Sequence, residues 1–269
     1  MNYQQSKKTF FDRNGYLIVK ELLNEKEIIE CKREINRLQE TAKLLNKSGT
    51  IENRDFQIEP FLKESDRKLK SPVLRKIENT YDHSDLFFQL ARHDQIVAIV
   101  KEILGPDLML FRSTLMLKPA LHGSEHAFHQ DSSYWPIDPP NLVTISIAID
   151  KSTPDNGCIK ILPQSHRSRL REWGHIAMAP DSKFAASNVA SQPNPLEVPL
   201  DSGSALFFHS KLVHGSGPNT SAYPRNTALY AYFNTKVRYI PTKGMPHSRS
   251  FPVIAGLEGK KYFEITANE

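Results

Sequence analysis

Cysteine is nearly absent from this chain, with two in 269 residues, so a disulfide framework is excluded and one bridge between Cys31 and Cys158 is the most that could form. In a reducing compartment both are expected to be ordinary thiols. Long apolar runs are missing as well. The tightest clusters, Ile96-Val97-Ala98-Ile99-Val100 and Ala205-Leu206-Phe207-Phe208, fall far short of the roughly 18 residues a membrane helix needs. No internal repeat is visible. Neither charge sign dominates, since 35 Lys+Arg face 30 Asp+Glu for a formal net charge of +5. Basic residues gather only at Ser165-His166-Arg167-Ser168-Arg169-Leu170-Arg171, without interleaved aromatics, so no nucleic-acid partner and no membrane partner is expected. The stretch Met1-Asn2-Tyr3-Gln4-Gln5-Ser6-Lys7-Lys8 lacks the basic-then-apolar layout of a secretory leader, and Ala267-Asn268-Glu269 is not a peroxisomal tripeptide; the expectation is a cytoplasmic protein. What is present is 39% hydrophobic and 9% aromatic residues, enough to fill a real core.

Residues 1–107 read as mainly helical. Asn24 followed by Glu27 forms a capping box, and Ile28, Ile29, Cys31, Ile35 and Leu38 then recur at helical spacing. A second helix fits Ser84 to about Leu104, stopped by Gly105-Pro106. Between Thr41 and Asp82 the chain is polar and patternless, and loops are expected. From Leu108 onward the texture turns to short β-type runs: Leu108–Lys118, His126–Gln130, Val143–Asp150, Ile159–Leu162, Ala205–Phe208, Val213–Gly215 and Thr227–Asn234. That count suits an all-β core of the jelly-roll type over 108–235, within a single domain spanning 1–269. Residues 172–195 form a long connection of the kind that often serves as a lid, and 236–269 a C-terminal extension.

The motif His129-Gln130-Asp131 sets an imidazole and a carboxylate two apart, which on a strand point to one face. Alone it is weak, since a surface His near an Asp is common. His214, on a short strand ending in a Gly-rich turn, offers a third metal ligand. Arg225 opens a strong β run eleven residues later, and a hairpin would return its planar fork beside His214 to hold a carboxylate. By strand parity His209 and His126 should point away from that site, although His126 could still reach the pocket mouth.

Taken together, Phe128-His129-Gln130-Asp131, Asp155-Asn156-Gly157-Cys158, Leu162-Pro163-Gln164-Ser165-His166, His214-Gly215-Ser216-Gly217-Pro218-Asn219, Arg225 and the opening Phe11-Asp12-Arg13-Asn14-Gly15-Tyr16 resemble the phytanoyl-CoA dioxygenase family of iron(II) and 2-oxoglutarate dependent oxygenases. The resemblance runs from about residue 9 to 235. It implies a double-stranded β-helix core with flanking N-terminal helices. His129, Asp131 and His214 would be the metal ligands and catalytic triad, with open positions for 2-oxoglutarate and O2. Arg225, assisted by Ser216, would anchor the distal carboxylate, with Gln130, Lys118 and Ser146 as lesser cosubstrate contacts. Some relatives carry Trp where Ser146 stands. Ascorbate would support turnover in vitro, and Asp131 disfavours halogenation, which needs a small residue there. His166 would be structural.

The expected reaction is hydroxylation or a related C–H oxidation of a small molecule, in natural-product or amino-acid-derivative metabolism, with release of succinate and CO2. Substrate contacts are sought at Phe128, Tyr134, Trp135, Trp173, His175 and Arg112, the first four as aromatic shields or stacking platforms. An acyl-CoA 2-hydroxylase, a non-catalytic jelly-roll metal or metabolite sensor and a cupin-type isomerase are the alternatives, the last having no need of Arg225. The oligomeric state stays open.

Overall fold

A computed structural model describes residues 6–51, 55–62, 72–173, 177–178 and 194–267. In chain order it contains α1 (Lys7–Asn14), β1 (Tyr16–Val19), α2 (Glu25–Lys47), β2 (Phe56–Ile58), β3 (Leu74–Glu78), α3 (Thr80–His83), α4 (Asp85–Leu90), α5 (Asp94–Leu104), β4 (Leu108–Lys118), β5 (Glu125–His129), β6 (Ile137–Asp138), β7 (Val143–Ala148) and β8 (Ile159–Ile161). There follow β9 (Ala177–Met178), β10 (Leu196–Val198), β11 (Ala205–His209), β12 (His214–Ser216), β13 (Arg225–Phe233), β14 (Arg238–Tyr239), β15 (Ser248–Ala255) and β16 (Tyr262–Thr266).

Two antiparallel sheets make a jelly-roll sandwich. The larger runs β1-β11-β7-β13-β4, and the long β4 then shares its free edge between β15 at its start (Val253↔Met109) and β3 at its end (Lys76↔Met116). The smaller runs β10-β8-β12-β5-β9. Alternation on the central strands divides the larger sheet between two tasks. Ala228, Tyr230 and Tyr232 of β13 and Val143, Ile145 and Ile147 of β7 join the helices in the main core with Cys31, Ile35 and Leu38 of α2. From the opposite face, Ala148, Leu206 and Phe208 pack on Ile161 and Val198 of the smaller sheet, inside the sandwich.

Local chemistry fixes the helices. Asn24 Oδ1 accepts from the Glu27 N–H at 3.0 Å while Glu27 Oε2 accepts from the Asn24 N–H at 2.8 Å, the capping box read from sequence. At the end of α1, Gly15 takes φ +81°, and a Cβ there would lie 2.3 Å from His166 Nδ1, so only glycine seats this turn against the His166 ring.

Two expectations need correction. The single helix over Ser84–Leu104 is broken at 91–93: the hydroxyls of Tyr230 and Tyr232 donate to the carbonyls of Phe87 and Ala91, both at 2.8 Å, and the chain restarts at Asp94. The loops expected from Thr41 to Asp82 instead include the end of α2, the β2–β3 hairpin and α3. The sequence Leu74-Arg75-Lys76-Ile77-Glu78 has no clean alternation, and pairing with β4 and β2 makes it a strand. The C-terminal stretch 236–269 includes the β15–β16 hairpin, which extends the larger sheet. Of the long connection 172–195, residues 174–176 and 179–193 lie outside the described residues, and with them His175.

Candidate active site

β5 and β12 are neighbours in the smaller sheet, and their register sets His129 opposite His214 with ring centroids 4.3 Å apart. Asp131 arrives differently from the strand arrangement expected: β5 ends at His129, and Asp131 opens a 3-10 turn over Asp131–Ser133. Its Oδ1 still lies 3.5 Å from His129 Nε2 and 3.8 Å from His214 Nε2. All three side chains are buried, and their ligating atoms fall within 4.8 Å of one another, a spacing that could hold a metal ion.

The ring orientations are fixed from behind. His129 Nδ1 donates to the Ala127 carbonyl at 2.8 Å and His214 Nδ1 to the Leu212 carbonyl at 2.9 Å. Because a carbonyl only accepts, each Nδ1 carries a proton, and Nε2 is the atom each ring turns toward Asp131. Burial, then the neighbouring His129, pushes His214 down to about 4, so it is neutral at neutral pH, as a ligand must be. Burial works against ionisation of Asp131, but His214 and His129 outweigh it and hold the carboxyl at about 2. Thr144 Oγ1 donates to Asp131 Oδ2 at 2.9 Å, leaving Oδ1 toward the imidazoles. Two imidazoles and one carboxylate suit non-haem iron(II).

The cluster opens into a cavity of about 330 Å³ between the sheets. Arg225 lines it from the start of β13, 3% exposed, and no carboxylate or carbonyl pairs its guanidinium among the described residues. Burial lowers its pKa to about 10, which still leaves it charged at neutral pH. A bare buried guanidinium costs several kcal/mol unless an anion meets it. The donor set and this orphaned cation together fit iron plus a dicarboxylate. Ser216, two residues beyond His214, lines the same cavity, as do Tyr134, Trp135 and Arg112.

Other expected contacts lie elsewhere. Lys118, the register partner of Arg225, turns its Nζ to the backbone carbonyls of Ser124 (2.8 Å) and Gly217. Gln130 is fully buried and serves as a strut: its Nε2 donates to the Lys211 carbonyl at 2.9 Å, and its Oε1 accepts from Arg171 N at 3.1 Å and Trp173 Nε1 at 3.2 Å. Trp173 is thereby tied to the wall behind the ligands, and its carbonyl accepts from Tyr134 Oη at 3.0 Å. Phe128 is buried and lines no part of the cavity. Ser146 is buried on β7 with an unpartnered Oγ, also outside the lining.

Arg112 does reach the cavity, but its fork is engaged: Nη2 and Nε donate to Glu78 at 2.6 and 3.1 Å. Lys76 and Thr114 bond the same carboxylate, at 2.7 and 2.6 Å. Burial alone would raise Glu78, yet Arg112 and Lys76 outweigh it and bring it to about 2. His209 and His166 are structural. His209 Nδ1 accepts from Lys211 N at 3.0 Å, and His166 Nε2 donates to the Asp12 carbonyl at 3.1 Å. His126 overturns the parity argument. His214 pairs with His129 but Ser216 with His126, so β5 spends three residues where β12 spends two, and the bulge turns His126 into the cavity.

Sequence reasoning passed over Thr144, Glu78 and Arg75, the last lining the cavity from β3. A signal existed for Thr144: in Val143-Thr144-Ile145-Ser146-Ile147 every second residue is polar within a fully buried strand. No comparable pattern marks β3.

A jelly roll with a His, Asp, His cluster bordering a cavity that Arg225 also lines without a pairing carboxylate has the makings of a mononuclear-metal oxygenase acting with a keto acid. The family model described as Phytanoyl-CoA dioxygenase (PhyH) matches residues 11–227, and the chain belongs to that family. It is a 2-oxoglutarate-dependent dioxygenase that uses iron(II). It is 26% identical over 261 residues to "Phytanoyl-CoA dioxygenase, peroxisomal" of Rattus norvegicus, covering 94% of this chain and 75% of that protein. To "Ectoine dioxygenase" of Nocardia farcinica (strain IFM 10152) it is 25% identical over 241 residues, covering 84% and 76%. Among solved structures, EctD from S. alaskensis with 2-oxoglutarate and 5-hydroxyectoine superimposes with TM-score 0.69 at 20% identity, covering 89% of this chain and 80% of that one. The carbocyclase SnoK from nogalamycin biosynthesis gives TM-score 0.68 at 20% identity, covering 98% and 97%. These two likenesses show the fold. No helix among the described residues is long and apolar enough to cross a membrane.

Proposed function

We propose that His129, Asp131 and His214 hold the iron, that Arg225 with Ser216 grips the distal carboxylate of 2-oxoglutarate, and that the enzyme oxidises a C–H bond of a small natural product or amino-acid derivative. The observation that carries the reading is the unpartnered, buried Arg225 in the same cavity as the three ligands. When bound, iron and 2-oxoglutarate supply an oxidant made from O2, with release of succinate and CO2.

The residues' own work is positioning. Carbonyls of Ala127 and Leu212 aim two imidazoles, Thr144 steadies the carboxylate between them, and Arg225 sets the reach of the diacid. Tyr134 and Trp135, at the cavity wall, exclude water from the reacting centre. The wall also carries Arg75, Lys76, Arg112 and His126, which favours a compact polar substrate over a long acyl chain. Two buried free thiols support a reducing, cytoplasmic setting.

Anaerobic addition of iron(II) and then 2-oxoglutarate should produce the weak visible charge-transfer band of the complex, and air should then release succinate. An Asp131→Ala or His214→Ala protein that keeps the band and the turnover would refute the ligand assignment.

A further inference from the structure

Two buried guanidiniums face one cavity, and the distal end of 2-oxoglutarate satisfies one. Arg75 is the other. It is 8% exposed and occupies a bulge in β3: Gln57 pairs with Lys76 and Ile58 with Leu74, so Arg75 is the extra residue with no register partner. Regular alternation would send neighbouring side chains to opposite faces, yet Arg75 and Lys76 both line the cavity. The bulge in β5 does the same for His126. The two re-aimed side chains meet, Arg75 Nη2 donating to His126 Nε2 at 2.9 Å.

That contact fixes the imidazole proton on Nδ1, because a guanidinium cannot accept. His126 Nδ1 and Arg75 Nε both lack a partner. Among the described residues no carboxylate lies within ion-pair distance of Arg75; the acid that influences it is Glu59, whose Oε2 accepts from Ser124 N at 3.3 Å. The adjoining cations differ, since Lys76 and Arg112 share the one carboxylate of Glu78.

Charge accounting then assigns Arg75. In the reading above, the ferrous ion, two neutral imidazoles, Asp131, a dianionic 2-oxoglutarate and Arg225 balance among themselves. On the rest of the wall Arg75, Lys76 and Arg112 face Glu78 and the more distant Glu59, an excess of one positive charge, and Arg75 is the member with no carboxylate in contact. We propose that Arg75, seated by His126, is the recognition point for a carboxylate on the organic substrate, so that the enzyme oxidises a small carboxylic acid. This rests on the preceding assignment of function and narrows its substrate class.

The test uses the full chain, loaded anaerobically with iron(II) and saturating 2-oxoglutarate. Matched acids and primary amides (phenylacetate and phenylacetamide, indole-3-acetate and indole-3-acetamide, octanoate and octanamide) are titrated in by calorimetry at neutral pH. Acids should bind at least about tenfold tighter than their amides, the worth of one charge-assisted hydrogen bond. Arg75→Gln should erase that preference and Arg75→Lys should keep most of it. Equal binding of acids and amides by the unaltered enzyme, or no binding by any acid, overturns the proposal without recourse to a variant. So does a preference that survives in Arg75→Gln. A tenfold weakening of 2-oxoglutarate in that variant would hand the cation to the cosubstrate and overturn it too, leaving the oxygenase reading intact. If the unaltered protein shows no iron–2-oxoglutarate band before any probe is added, the functional reading falls and takes this one with it.

Discussion

Replacing Arg225 by methionine should do two opposite things. Without ligands the guanidinium is 3% exposed and unpaired, and substituting a similarly long apolar side chain removes that desolvation cost. Replacement of buried charge by well-packed apolar groups typically stabilises by about 1–4 kcal/mol, and in a chain of this size each kcal/mol moves the melting temperature by roughly 2–4 °C. With ligands the sign reverses. A carboxylate held by two charge-assisted hydrogen bonds loses about 3–6 kcal/mol when both go, a hundredfold or more in Kd. The assay is urea denaturation of the metal-free protein beside calorimetric titration of 2-oxoglutarate into the manganese-loaded form. An Arg225→Met protein that is no more stable than the parent, and binds 2-oxoglutarate within threefold of it, would show that the cation is neither orphaned nor the anchor.

Thr144→Val removes the hydroxyl on Asp131 Oδ2 and little else, so metal affinity should fall by about 10–100-fold with the fold retained; unchanged affinity in a metal titration would show that the carboxylate needs no such support. Acid should destabilise the protein through His209. Burial, then His166, lowers it to about 3, whereas in the unfolded chain it takes a proton near about 6.5, so stability present above that value should decline as pH falls from about 6.5 toward 3. His209→Asn should flatten this dependence in urea midpoints between neutral pH and pH about 4; an unaltered slope would place the proton uptake elsewhere.

Much of the architecture could be read from periodicity. β4 matches Leu108–Lys118 at both ends, and the other six expected strands lie within two residues of observed ones, because inward and outward residues alternate on a buried surface; the sheet strands β1 and β10 carry too short a pattern to be read. Legibility failed where tertiary partners rule. Tyr230 and Tyr232 interrupt a helix from more than a hundred residues away, and β3 owes its existence to β4. The cluster His129, Asp131 and His214 was legible through its motifs, as was Arg225. Of the cavity's charged wall Arg112 was legible, but Arg75 and Lys76 were not, because a bulge shifts parity by one residue and leaves no mark in the sequence.

The β2–β3 hairpin joins the larger sheet through only Lys76, Ile77 and Glu78 against Met116, Leu115 and Thr114. None of the three metal-binding candidates belongs to it, nor does Arg225, so selectivity and chemistry occupy separable pieces of chain. Exchanging this short ribbon among relatives should therefore transplant a preference for one compound over another while the oxidising machinery stays in place, and it is the first segment to randomise in directed evolution.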